Sequence, residues 1–341
     1  MTERATHAHA SHRGERMAAT PRGARTRASH RAAHAVAALA AWCVALMLFA
    51  RPAAAYFDDV ATGARGISMG DASIALVSDA SAYYWNPAAL ADTRRPELLI
   101  DYARPYAVPD LSASAIAGSA RRFGTGWGLA WHHYGIANVY SEDQFCLSAA
   151  RTVLESRTGH HVLAGATFKL GRMAFQPFDV PAGTIDLGSQ TKGSLDAGLK
   201  WVTPWKFDFS GVLRDINQPR YQFVDNTGGD LQRARLQLGA AIRWNRESTI
   251  AMGWSQDKYG VGSLSAGVEV LFFDVFAVRS GISNISRIYQ DYGRPTEIGY
   301  NGGFGLLHKG YTLDAAAAAS HDLGASYRVS LRVPFGAGVT P

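Results

Sequence analysis

The chain has 341 residues, 47% of them hydrophobic, 35 of them glycine and only 18% charged, against roughly 25% charged in soluble domains, which excludes a disordered or collagen-like chain. The formal net charge is +6 and the pI about 9.3, values that suit a nucleic-acid binder when the charge is spread over the fold. Here it is not: the first 55 residues hold eight arginines against Glu3 and Glu15, so 26 basic and 26 acidic residues remain beyond Ala55, and no nucleic-acid partner is expected.

The run from Ala35 to Ala50 follows the arginine-rich stretch and precedes Ala53-Ala54-Ala55, an A-x-A cleavage pattern. It is shorter than the roughly 20 residues of a spanning helix. The reading is a secretory signal peptide over residues 1–55, with Met17 as an alternative start. Trp42 stands before Cys43 where a lipoprotein signal needs a small residue, so lipidation is not expected. Cleavage leaves Cys146 as the one cysteine, and an internal disulfide is impossible.

From residue 97 to 335 the chain repeats alternating stretches punctuated by Gly, Pro, Asn and Asp, which is strand spacing. Fourteen strands are predicted: 97–103, 111–122, 124–134, 143–152, 160–170, 193–203, 205–214, 231–244, 248–256, 262–272, 275–285, 297–308, 311–320 and 325–335. In one of them Leu195, Ala197, Leu199 and Trp201 alternate with Asp196, Gly198 and Lys200. In another, Leu236, Leu238, Ala240 and Ile242 alternate with Gln237, Gly239 and Arg243. Connections after odd strands are mostly long (171–192, 215–230, 286–296), and those after even strands are mostly two or three residues. An even strand count with long loops on one rim and tight turns on the other is the layout of an outer-membrane β-barrel, whose closure pairs every backbone group in hydrocarbon. The fold class is therefore all-β, a transmembrane antiparallel barrel of about 14 strands. Its partners are outer-membrane lipids and its location the bacterial outer membrane. Trp201, Trp205, Trp244, Trp254 and Tyr300 fall near strand ends, as an aromatic girdle would. Leu199 and Leu238 are expected to meet lipid, while Gly198 and Gln237 should face the lumen and tolerate arginine.

The last strand carries Tyr327, Val329, Leu331, Val333 and Phe335 in alternation. It resembles the C-terminal signal by which the barrel assembly machinery recognises its clients, here followed by a short tail, 336–341.

Residues 56–96 differ in kind. Small residues and short helix-like stretches from Gly63 to Asp92 cannot continue a barrel wall, and Asn86-Pro87-Ala88 reads as a capped helix start. Gly63, Ala64, Arg65, Met69 and Gly70, then Asp79, Ala80, Ser81 and Ala82, then Asn86, Pro87 and Ala88 resemble the opening of the FadL-like outer-membrane transport proteins, and more closely that of their PorV/PorQ-type relatives. The resemblance implies a barrel with residues 56–96 folded inside as a plug or hatch. Within it Gly66, Met69, Gly70, Asp79, Asn86, Pro87 and Ala88 are the candidate ligand-contact or gating residues. It also implies one of two roles: passage of a small hydrophobic compound through the plugged lumen, or a secretion scaffold or cargo shuttle with secretion-system proteins as partners. Phe175, Phe178, Ile185, Tyr221 and Phe223, in the longest loops, could serve either.

Enzyme chemistry is not expected. His132-His133 and His160-His161 point to opposite strand faces pairwise and cannot chelate one ion. No G-x-S-x-G is present, and Gly124-Thr-Gly-Trp-Gly128 lies in a strand, where glycines facing a plug are the simpler account. Neither a metal nor a cofactor is expected.

Overall fold

The computed structural model describes residues 61–181, 183–223, 230–256, 262–285, 298–320 and 324–335. The expected signal peptide and C-terminal tail lie outside them.

Fourteen antiparallel strands close into one barrel. In chain order they are β1 (Glu97–Arg104), β2 (Leu111–Arg122), β3 (Thr125–Ile136), β4 (Tyr140–Glu155), β5 (His161–Phe175), β6 (Ser189–Val202) and β7 (Phe207–Arg214). They continue with β8 (Arg235–Arg243), β9 (Ser248–Gln256), β10 (Gly262–Phe272), β11 (Phe276–Ile285), β12 (Gly299–His308), β13 (Tyr311–Ser320) and β14 (Gly324–Pro334). Each pairs with its chain neighbour, and β1 pairs with β14 from Glu97↔Pro334 to Arg104↔Tyr327. Closure leaves no open sheet edge.

The period-2 alternation is realised with its faces reversed relative to a soluble fold. Leu195 and Leu199 of β6 are 45% and 56% exposed, while Asp196 and Lys200, which follow them on the opposite face, are buried. Tyr327, Val329 and Leu331 of β14 likewise point outward, and Arg328 and Ser330 are buried inside. An outer wall of exposed Leu, Val, Ile and Phe far exceeds the patches that soluble monomers tolerate and fits a hydrocarbon surround.

The strands differ from the sequence expectation mainly at their ends. β4 begins three residues early, at Tyr140, and β5 and β6 run to Phe175 and from Ser189. Most of the expected loop 171–192 is therefore ladder, capped by a small hairpin of Phe178–Val180 with Gly183–Ile185. Backbone pairing continues past the end of the apolar alternation, so hydropathy marks the apolar wall rather than the whole strand. Residues 215–234 carry a second short pairing, Arg220–Tyr221 with Asp230–Leu231. Trp205, Trp244 and Tyr300 are exposed as a girdle requires, but Trp254 is buried, its indole lying over Gly262; glycine across the ladder gives the ring a place to fold down.

Candidate functional site

Residues 61–96 lie inside the ring. They form two short helices, α1 (Ala64–Ser68) and α2 (Ala82–Trp85), and a 3-10 turn, Pro87–Asp92. Met69, Ala88, Ala89 and Leu90 are completely buried.

The path of this segment follows a track of glycines on the inward faces of the strands. Ser68 sits against Gly303 of β12, Met69 and Gly70 against Gly281 of β11, and Met69 against Gly267 of β10. Ala72 meets Gly253 of β9, and Ala75 meets Gly239 of β8. Asn86 and Pro87 then cover Gly198 of β6, Ala88 covers Gly165 of β5, and Leu90 covers Gly126 of β3. A methyl group at Gly165 would stand 2.6 Å from the Ala88 nitrogen, and one at Gly126, Gly267 or Gly281 would overlap segment backbone outright. Gly70 adds a conformational reason: its φ is +66° and it lies against the Ile282 backbone, where a side chain has neither the dihedral nor the room.

Charge holds the segment in register. Arg65 grips Glu269 of β10 through Nε at 2.9 Å and Nη2 at 2.7 Å. Glu269 also accepts from Arg279 of β11 at 2.6 Å, and Arg279 donates to Asp314 of β13 at 2.7 Å. Asp314 accepts from Arg332 of β14 at 3.3 Å, and Arg332 donates to Asp79 at 3.1 Å. The chain of alternating charges starts and ends on the N-terminal segment. It bridges β12 because Gly305 there has no side chain: a Cβ would stand 2.8 Å from the Arg279 guanidinium. Burial alone would raise the Asp79 carboxyl, but Arg332, Arg65 and the Ser81 hydrogen bonds outweigh it and hold it below the ordinary carboxylate range.

Further anchors are spread round the ring. Ala64 N donates to Ser330 Oγ at 2.6 Å, Lys200 Nζ to Val77 O at 2.9 Å and Arg214 Nη2 to Tyr84 O at 2.6 Å. Arg214 also lies 4.2 Å from the centre of the Tyr84 ring.

Each candidate residue from the sequence has a defined place. Gly66 lies under Trp85, whose indole would collide with any side chain there. Asn86 is the N-cap of the 3-10 turn: its Oδ1 accepts from Ala88 N at 3.0 Å, with Pro87 at the first position. A plain capped turn accounts for only part of it, because Nδ2 also donates to Ile74 O at 3.3 Å and to Leu199 O of β6 at 3.2 Å. Gly198 is not the tolerant lumen position expected, since the Asn86 amide occupies the space of its missing side chain. Phe175 contacts the rings of Tyr140 and Phe223, both at 4.9 Å, and Tyr221 is buried with its hydroxyl donating to Gly171 O at 3.2 Å; Phe178 and Ile185 stay exposed as the facing pair at the base of the short hairpin. His133 bonds Asp143 at 3.0 Å, and no metal-binding cluster occurs among the described residues.

Sequence reasoning passed over Glu269, Arg279, Asp314 and Lys200. Each is a charge at an inward position of an alternating strand, and that parity was the available signal.

The described residues line several cavities, two of them larger than the one of about 210 Å³ beside Ala91 and Asp92. One, about 390 Å³, opens at the short-turn mouth between the segment and the wall, lined by Arg65, Asp79, Glu97, Lys200, Arg243 and Arg332 among others. The other is an apolar groove of about 590 Å³ on the outer face of β2–β5, lined by Ile116, Leu129, Phe145, Leu147, Phe168 and Leu170 among others.

No protein family and no curated protein matches the chain in sequence. Among solved structures it is similar to a Pseudomonas aeruginosa FadL homologue, at 12% identity and a TM-score of 0.55, over 83% of this chain and 100% of that one. It is also similar to the CymD monoaromatic hydrocarbon channel, at 13% and 0.56 over 82% and 99%, and to the Ralstonia pickettii toluene transporter TbuX, at 12% and 0.51 over 80% and 98%. At such identities the likeness is one of fold: a closed barrel of the kind these transporters and channels have.

Proposed function

We propose that this chain is an outer-membrane barrel whose lumen is plugged by its N-terminal segment and which passes a small hydrophobic compound. The observation that carries the reading is the seating of residues 64–91 on the glycine track, which fills the lumen at that level and opposes a wide water-filled channel for polar solutes. The apolar outer wall supports a bilayer location, and the outward residues Tyr327 to Phe335 of the closing strand suit delivery by the barrel assembly machinery. Proteins of similar fold described as a hydrocarbon channel and a toluene transporter support the cargo class.

The test is accumulation of radiolabelled toluene by cells that lack their own hydrophobic-compound channel. Expression of the full chain should raise it several-fold over empty vector. The exposed Phe178 and Ile185 favour the second reading, a secretion scaffold. Unchanged toluene uptake, together with loss of secreted-protein release when 176–188 is shortened, would select that role instead.

A further inference from the structure

Beyond Ala55 the chain is neutral in sum but not in distribution. Exposed on the short-turn rim are Arg122 at the end of β2, Arg151 near the end of β4, and Arg157, Lys206, Arg246 and Lys309 in the turns. Acidic residues exposed in the same turns and strand ends are Glu155, Glu247 and Asp274. None of Arg122, Arg151, Arg157, Arg246 and Lys309 makes an ion pair or hydrogen bond among the described residues, and Lys206 donates only to Trp244 O, at 3.3 Å. Among the described residues the long-loop rim has no such excess: Arg104, Arg172, Lys192 and Arg220 are exposed there beside Asp110, Asp179 and Asp186.

The same turns display large apolar side chains. Phe123 and Phe273 are 95% and 92% exposed and Trp244 is 69% exposed. Both phenylalanines have left-handed backbone, at φ 53° and 54°, a conformation costly for a bulky residue. Glycine would fit those turns more easily, and no described residue covers either ring to offset the strain. Arg122 also shares the outward face of β2 with Ile116, so its stem leaves the apolar wall before its guanidinium reaches the rim. An apolar tip beside an unpaired cation is the pattern that meets a hydrocarbon boundary and a negative headgroup together.

We propose that the short-turn rim is a docking surface for anionic phospholipid headgroups, with Phe123, Phe273 and Trp244 set into the acyl boundary and Arg122, Arg157, Arg246 and Lys309 holding phosphates. It concerns the rim alone and holds whichever cargo the barrel passes. Each such cation is worth about 1 kcal/mol at an anionic surface, about fivefold in partition.

The test uses the full chain in detergent micelles. Native mass spectrometry counts retained lipids after exposure to equal phosphatidylglycerol and phosphatidylcholine, and a heat-modifiability gel confirms the fold. Wild-type protein should retain phosphatidylglycerol several-fold over phosphatidylcholine, with the preference removed by 0.5 M NaCl. A variant with Arg122, Arg157, Arg246 and Lys309 all changed to Gln should lose the preference. A variant with Arg104, Arg172, Lys192 and Arg220 changed to Gln should keep it. Equal retention of the two lipids by wild-type protein, a preference that survives salt, or loss in the long-loop variant alone would each overturn the proposal. Where a quadruple variant fails to fold, the single changes Arg122→Gln and Lys309→Gln set against Arg104→Gln carry the same comparison of the two rims.

Discussion

Arg65 and Asp79 stand on the same N-terminal segment and are the two ends of one ion-pair chain, which leaves the segment at Glu269, crosses the inner wall through Arg279, Asp314 and Arg332, and returns. Neither end residue touches the other. The segment is thus held by the wall at two separate places, and the same wall residues that hold it hold one another. Removing one member leaves its neighbours buried and partly unpaired, which is where such networks are costly.

Arg65→Met should accordingly destabilise the seated segment by about 3 kcal/mol, at the lower end for a broken buried pair because Glu269 keeps Arg279. Hydrogen–deuterium exchange in peptides covering 61–95 should rise while exchange in the strands stays slow. Equal acceleration in both would mean that the segment and the barrel are one cooperative unit.

The glycine track makes a sharper contrast. Gly267→Ala puts a methyl group into the Met69 carbonyl, an overpacking cost of about 3 kcal/mol or more. Gly118→Ala, on the outward face of β2 with only Glu97 O nearby at 4.0 Å, should be near neutral. Heat-modifiability melts of the two variants should separate clearly. Matching melts would contradict the close seating of the segment.

How much of this was legible differs by interaction range. Strand positions follow from period-2 alternation, a local property, so Leu195 and Leu199 could be placed outward from the sequence. The ion-pair chain could not be read, because Arg65 and Glu269 meet only after the ring closes. Gly124-Thr-Gly-Trp-Gly128 shows an intermediate case. Its glycines suggest a plug or small lumen, and Gly126 does carry Leu90, but only the assembled barrel shows that seven other strands offer a glycine to the same segment. Trp254 failed the girdle expectation because its indole lies over Gly262 on the neighbouring strand, a proximity without local signature.

Acid should release the segment late. Asp79 is held below its unfolded value of about 3.9, so its contribution is complete above that value and is lost as pH falls through the lower folded value. Protection of 61–95 in hydrogen exchange, corrected for intrinsic rate, should therefore stay constant from pH 8 to about 5 and weaken only below about pH 4. Asp79→Asn should show reduced protection throughout. A loss of protection near pH 6 would mean that a group other than Asp79 controls the seating.

Asn86→Ala removes the cap acceptor for Ala88 N and the donor for Ile74 and Leu199 carbonyls, at a cost of about 2–3 kcal/mol in a buried place. The closed ladder should survive, so the expected result is a folded barrel with brief openings of the lumen, visible as transient conductance steps in planar bilayers. A variant as silent as wild type would make Asn86 a purely architectural residue.

The most direct test of the filled lumen is the single-channel conductance of the purified full-length wild-type barrel in a planar lipid bilayer. With residues 64–91 seated on the glycine track, the account predicts insertion without any steady ion current. A stable open current of porin size from wild-type protein would contradict it.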